Sequence, residues 1–237
     1  MTQRDLIERP RTLVLFDIDG TLLNSAGCGR EAMRLALLDV FGRTGDIDRH
    51  HLHGKTDWQS VAELLRLSDE EVGAHMPAFE QASAYHLERI IGQYDVRPYP
   101  GTLALVDALA QKPAALLGLL TGNVRAIAPI KLRAAGFDPG AFRLGAYGSE
   151  ARRRDALPAM ALARAEALTG ERFPGERIVI IGDTEADVTC GRTIGARSLA
   201  VATGSSSYDR LAAQNPDHLF YDLTDLPAVV AAIFSGG

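Results

Sequence analysis

The sequence predicts an α/β fold, a doubly wound parallel sheet with a small helical unit inserted after its first strand. Three observations predict it. An apolar run at residues 12–16 (Thr-Leu-Val-Leu-Phe) stops abruptly at Asp17-Ile18-Asp19-Gly20, as a fully buried strand of a parallel sheet does. Residues 24–95 then carry helical periodicity and no convincing strand pattern. From residue 97 onward, strand-like and helical stretches alternate, the rhythm of parallel strands joined by crossover helices.

The elements follow in order. Met33, Leu37, Val40 and Phe41 share one face of a helix expected over about 29–41. Val61, Leu64 and Leu65 mark a second. Ser68, with Glu71 three residues on, is a capping box opening a third that runs to about 93. Arg97-Pro98-Tyr99-Pro100-Gly101 punctuates the chain as the return from the insert. The boundaries are therefore a core of residues 1–23 and 97–237 and a helical insert of residues 24–96. Within the core's second part, helices are expected over about 101–111, 124–135, 156–169, 186–194 and 225–234, the second stopping at Gly136. Strands are expected over about 114–120, 142–147, 177–181 and 198–201, and Gly204-Ser205-Ser206-Ser207 reads as a loop.

Composition bounds the function. A chain of 237 residues with 46% hydrophobic and 23% charged residues can bury a sizeable core. Its net charge of −5 offers no electrostatic footprint for nucleic acid or an anionic membrane. An anionic substrate would need local help from a metal and a few Arg or Lys side chains. Cys28 and Cys190 are far apart, which suggests neither a disulfide framework nor a metal-site spacing. The N-terminal MTQRDLIERPR reads as a lead-in without the apolar run of a secretory signal. No stretch approaches the length of a membrane span, so the expected location is the cytoplasm.

In open parallel sheets, ligands bind beyond the carboxyl ends of the strands, so the residues after each strand are the candidates. Asp17 and Asp19 leave the first strand pointing the same way. Two such carboxylates repel unless a cation sits between them or one is protonated. The plainer alternative is an ordinary Asp-Gly turn. Thr121-Gly122-Asn123 offers a hydroxyl and free backbone N–H groups, a phosphate cradle or simply a capped helix start. Gly182-Asp183-Thr184-Glu185-Ala186-Asp187 puts Asp183 at a strand end and Asp187 one helical turn later, where the helix dipole alone favours a carboxylate. Taken together, three strands deliver carboxylates and hydroxyls to one edge of one sheet. Such a cluster is costly without a metal.

In these residues the chain resembles the haloacid dehalogenase superfamily. Asp17-Ile18-Asp19-Gly20-Thr21 is similar to its first motif, D-x-D-G-T; Thr121 to its second; and Gly182 through Asp187 to its fourth, G-D-T-x-x-D. The resemblance covers nearly the whole chain, including a helical cap, and points to the phosphoglycolate-phosphatase-like branch with its Rossmann-like core. The third motif supplies a Lys or Arg between the second and fourth. Among Arg152, Arg153 and Arg154 the spacing to Leu157-Pro158 favours Arg154, with Arg153 next, while Lys131 reads as a surface helix residue.

The resemblance implies a phosphatase acting on a small-molecule phosphomonoester, with phosphoglycolate as the family-level guess. Asp17 would take up the phosphoryl group, and Asp19 would act as acid and then base. Mg²⁺ would be held by Asp17, Asp183 and the backbone carbonyl of Asp19, with Asp187 in support. Thr121, Gly122, Asn123 and Arg154 would hold the phosphoryl oxygens. The alternatives are a sugar-phosphate mutase and a non-catalytic binding protein on the same fold. The second acid, Asp19, disfavours dehalogenation. Lys55, the insert's lysine, reads as a substrate or solvent contact. His50, His51 and His53 read as a polar loop, and Trp58 and Tyr85 as packing within the cap. Cys28 has no assigned role, and Gly27 and Gly29 would let the cap swing. Neither nucleic acid nor membrane is an expected partner, and the chain is expected to be a monomer or homodimer.

Overall fold

Residues 12–16 are apolar on both faces because both faces of the strand they form are covered. The computed structural model describes residues 11–235, so nearly all of the expected N-terminal lead-in lies outside the described residues. Strand β1 (Thr12–Phe16) is central in a six-stranded parallel sheet with β4 (Ala115–Thr121), β5 (Leu144–Tyr147), β6 (Ile178–Gly182), β7 (Arg197–Val201) and β8 (His218–Phe220). The order is β5-β4-β1-β6-β7-β8. Side chains alternate between faces. Leu13, Leu15, Leu116, Leu120, Ile178 and Ile180 pack with helix α6 (Leu157–Thr169) through Leu157, Ala161 and Ala165. Val14, Phe16, Leu117, Leu119, Val179 and Ile181 face α4 (Thr102–Ala110), α5 (Ala128–Ala134) and α9 (Leu226–Phe234). The expected doubly wound sheet is therefore the fold observed.

Topology places the site. From β1 the chain builds outward through β4 and β5, then crosses back to β6 on the other side of β1. The strand order reverses beside β1, and the crevice beyond its carboxyl end is where such sheets bind ligands.

Between β1 and β4 lie α1 (Cys28–Phe41), α2 (Asp57–Leu65) and α3 (Asp69–Ile90), framed by an antiparallel ribbon of β2 (Leu23–Asn24) and β3 (Arg97–Pro98). The capping box at Ser68 and Glu71 forms as expected. Ala32, Leu37, Val61, Leu65, Val72 and Phe79 bury into a cluster that also takes Val124, Ile127 and Ile130 from the core. Trp58 packs against that cluster. Tyr85 does not: it is 51% exposed, with the Arg89 guanidinium 3.9 Å over its ring. Residue 85 falls opposite the α3 stripe of Val72, Met76, Phe79, Ser83 and Leu87, which corrects the expectation of packing.

Besides the β2–β3 ribbon, two further short elements were not expected. Helix α8 (Tyr208–Ala212) is capped by Ser207 but is too short to show periodicity, and β8 is a half-buried edge strand of three residues. Helix α7 (Glu185–Cys190) completes the set. No helix among the described residues is long and apolar enough to cross a membrane.

Candidate active site

The carboxyl ends of β1, β4 and β6 deliver Asp17, Thr121 and Asp183 to one crevice. The Asp17 backbone N–H makes a last bond to the Ile181 carbonyl (3.0 Å), after which the chain leaves the sheet. The Ile18 N–H donates to the Asp17 carboxylate (2.7 Å), fixing the side chain at the strand end. Gly20 turns the chain with φ +87°, and a Cβ there would strike the Asp183 carboxylate. A Cβ on Gly204 would strike the same carboxylate. Asp183 is fully buried and accepts from Thr21 Oγ1 (3.2 Å) and the Ser205 N–H (2.9 Å).

Asp187 sits one turn into α7. It closes a capping box in which the Thr184 N–H (3.0 Å) and Oγ1 (2.6 Å) both donate to its Oδ2. Its Oδ1 accepts from Arg154 Nη2 at 2.5 Å, and the same Nη2 is 2.9 Å from Asp17 Oδ2. Arg154 is 6% exposed and enters just ahead of α6. Of the three arginines, it alone reaches the crevice. Arg152 pairs with Asp69 and Arg153 with Asp155 at the surface. Oxygens of Asp17, Asp183 and Asp187 lie within 4.8 Å of one another, and all three residues are buried.

Asp19 takes a different cation, and here the structure overturns one expectation. Lys131 is not a surface residue: it is 2% exposed, and its Nζ donates to Asp19 Oδ2 (2.6 Å) and Asn123 Oδ1 (2.8 Å). The sequence held the signal. Ile127 and Ala128, four and three residues earlier, put position 131 on an apolar face of this helix. Gly29, read as a hinge, has a second use, since a Cβ there would lie 2.8 Å from Lys131 Nζ. Asn123 Nδ2 donates to Asp19 Oδ2 (2.7 Å) and to Thr121 Oγ1 (2.9 Å). Both ends of the Asn123 amide are therefore engaged in holding Asp19 and Lys131. Of the other sequence-marked residues, His53 and Lys55 line the same cavity without bonding to this cluster. Lys55 pairs with Glu63 at 2.5 Å, His51 and His53 contact each other, and both cysteines are free and buried.

The electrostatics follow from burial and pairing. Burial raises Asp17 to about 6 against the opposing pull of Arg154. Burial, with the nearby charges of Asp187 and Asp17, raises Asp183 to about 8. Burial also works to raise Asp19, but the Lys131 charge and hydrogen bond outweigh it and hold Asp19 below its usual range. Lys131 is raised despite its burial, because Asp19 stabilises the ammonium. Asp17, Asp19, Asp183 and Asp187 thus face two buried cations, an excess of two negative charges when all four are ionised. A hard divalent cation with oxygen ligands fits that excess and that donor set. Such a cation must displace the proton that Asp183 carries below about pH 8, and that of Asp17 only below about pH 6. Its apparent affinity is therefore expected to fall as pH drops from about 8.5 to 6, by about tenfold per pH unit for each proton displaced. Titration calorimetry at several pH values checks this, and an affinity flat across that range would contradict it.

A family model describing haloacid dehalogenase-like hydrolases matches residues 12–195. The chain belongs to that family. As a haloacid dehalogenase-like hydrolase it shares its fold with many solved structures. Among them is a predicted phosphoglycolate phosphatase from Haemophilus somnus, 20% identical, with a TM-score of 0.65 over 94% of this chain and 99% of that one. A hydrolase from Pseudomonas syringae is 21% identical with a TM-score of 0.68, again over 94% and 99%. CbbY from Rhodobacter sphaeroides, solved in complex with phosphate, is 19% identical with a TM-score of 0.68 over 91% and 96%. At these identities the likeness speaks for the fold. Comparison with curated proteins gives no match.

Proposed function

We propose that this hydrolase is a Mg²⁺-dependent phosphatase that cleaves a small-molecule phosphomonoester through an aspartyl phosphate on Asp17. The observation that carries the reading is the separate provision for two neighbouring carboxylates. Asp17 is fixed at the strand end beside Arg154, whereas Asp19 is held apart by Lys131. A nucleophile and an acid–base group need such different settings.

In this reading Asp17 attacks phosphorus in line and the ester oxygen departs, leaving the phosphoryl group on the carboxylate. Arg154 keeps Asp17 ionised and, with Thr121 and the backbone of Gly122 and Asn123, holds the phosphoryl oxygens as charge develops. Asp19 protonates the leaving oxygen and later takes the proton of the attacking water. In the resting site Asp19 is ionised against Lys131. An incoming phosphate dianion is a like charge that raises its proton affinity, so Asp19 takes up a proton from solvent as the substrate binds. Mg²⁺ would be held by Asp17, Asp183 and the Asp19 carbonyl, with Asp187 in support, and would neutralise charge on the transferring group when bound. Residues 24–96 would form a cap over the core of residues 1–23 and 97–237. A cavity of about 450 Å³ bounded by Asp17, Asp19, Lys131 and Arg154, and by Lys55 and Phe79 of the cap, supports a small substrate.

Phosphate release from a panel of phosphomonoesters, phosphoglycolate included, tests the reading with and without Mg²⁺. Metal-dependent release is expected. Isomerisation of a sugar phosphate without release would favour a mutase, and inertness towards every ester would favour a binding role.

A further inference from the structure

The segment that enters α2 is bonded to the core at each loop that carries a phosphate-holding group. Thr56 Oγ1 donates to the Arg152 carbonyl (2.6 Å), two residues before Arg154. The Asp57 N–H donates to the Gly122 carbonyl (2.7 Å), and Asp57 Oδ2 accepts from the Val124 N–H (2.8 Å), so one residue brackets Asn123. The Trp58 N–H donates to the Gly148 carbonyl (3.0 Å), and the Gly148 N–H donates to the Asn123 carbonyl (2.8 Å). Two glycines allow this approach: a Cβ on Gly122 would strike the Lys55 carbonyl, and one on Gly148 would strike the Gly122 carbonyl.

Asp57 is an unusual residue to spend on mere packing. An acidic residue in a first helical turn is ordinarily explained by the helix dipole. Here the carboxylate instead accepts from the Val124 amide, 67 residues away in sequence, and its burial raises it to about 7. Asp57 is half-buried at the lining of the cavity, and its bond to Val124 ties the inserted segment to the 121–124 loop.

We propose that Asp57 and Thr56 are positioning residues: from the inserted segment they set the 121–124 loop and the 152–154 turn, and so place Thr121, Asn123 and Arg154 around the phosphoryl group. The proposal rests on the phosphatase reading for its catalytic consequence, but the positioning itself does not. Docking of the inserted segment thereby assembles the phosphate-holding groups rather than only covering them.

The test combines turnover of 4-nitrophenyl phosphate with Mg²⁺ and site-resolved amide hydrogen exchange, on the full chain. Asp57→Ala should lower kcat/KM by about 10- to 100-fold, mostly in kcat, because displaced groups are felt in the transition state. Exchange at residues 121–124 and 152–154 should speed up in that variant. Asp57→Asn retains an acceptor for the Val124 N–H and should restore both readouts to within a few-fold of wild type. Val124→Pro, which deletes the donor at a φ of −61° that proline adopts, should reproduce the Asp57→Ala loss even if that variant folds poorly. Unchanged exchange at both loops in Asp57→Ala, or equal impairment by Asn and Ala, would overturn the proposal. A wild type that hydrolyses no phosphomonoester would instead overturn the phosphatase reading, with the exchange data still deciding whether Asp57 positions the loops.

Discussion

Replacing Asp17 with Asn is expected to reduce phosphate release by about four orders of magnitude or more, as loss of a covalent nucleophile does. The substitution is nearly isosteric. An Asn side chain at position 17 has one oxygen and can accept from the Ile18 N–H or from Arg154, which now take different oxygens of the carboxylate, while Arg154 keeps its bond to Asp187. The fold should therefore survive, with a melting temperature within a few degrees of wild type. Asp17 is also raised by burial, so removing its charge relieves repulsion with Asp187 and Asp183. Steady-state phosphate release together with a thermal melt separates these effects. Activity within tenfold of wild type would remove Asp17 from the nucleophile's role.

Lys131→Met is expected to be among the most destabilising single changes in the site. It removes a buried ammonium, leaving the Asn123 carbonyl oxygen without its donor and the Asp19 carboxylate without its cation, though still bonded to the Asn123 amide. Breaking a buried pair by deleting one partner costs about 3–5 kcal/mol. The Asp19 side chain is 31% exposed, so water offsets part of the loss and about 3 kcal/mol is expected. For a chain of this size that is a fall of about 6–12 °C in melting temperature. The pH dependence has a definite sign. Asp19 lies below its unfolded value, so its contribution is present above about pH 4 and lost as acid protonates it. Lys131 lies above its unfolded value, so its contribution is complete below about pH 10 and lost as base removes the proton. The gap between wild type and Lys131→Met should therefore be widest between about pH 5 and 9 and narrow towards either extreme. A gap independent of pH would mean that packing, not the ion pair, is what Lys131 supplies. Loss of turnover should accompany the change, because Asp19 would no longer be held apart from Asp17.

Much of this was legible in the sequence because the informative residues stand next to strands. The run at residues 12–16 names a strand, and the carboxylates that follow must lie at its carboxyl edge whatever else the chain does. The same logic placed Thr121 and Asp183. Spacing to Leu157-Pro158 singles out Arg154 among three adjacent arginines, and its burial against Asp17 separates it from Arg152 and Arg153. Less was legible where a contact depends on two elements distant in sequence. Lys131 lies 112 residues from Asp19, and helix periodicity says which face is apolar but not what a polar residue on that face will meet. The same limit hid the link between Asp57 and Val124, 67 residues apart. Short elements such as α8 and β8 escaped for a different reason. Three to five residues carry too little pattern to be distinguished from a turn.

The central claim is that the phosphoryl group passes to Asp17. The most direct measurement is acid quenching of a single turnover with a radiolabelled phosphomonoester in the presence of Mg²⁺, followed by peptide mapping. Asp19→Asn is the protein to use, since losing the base should slow breakdown of the intermediate and let it accumulate. Label is expected on the peptide containing Asp17, released by base and absent when Asp17 is also Asn. Label on another residue, or metal-dependent phosphate release that persists when Asp17 is replaced, would contradict it.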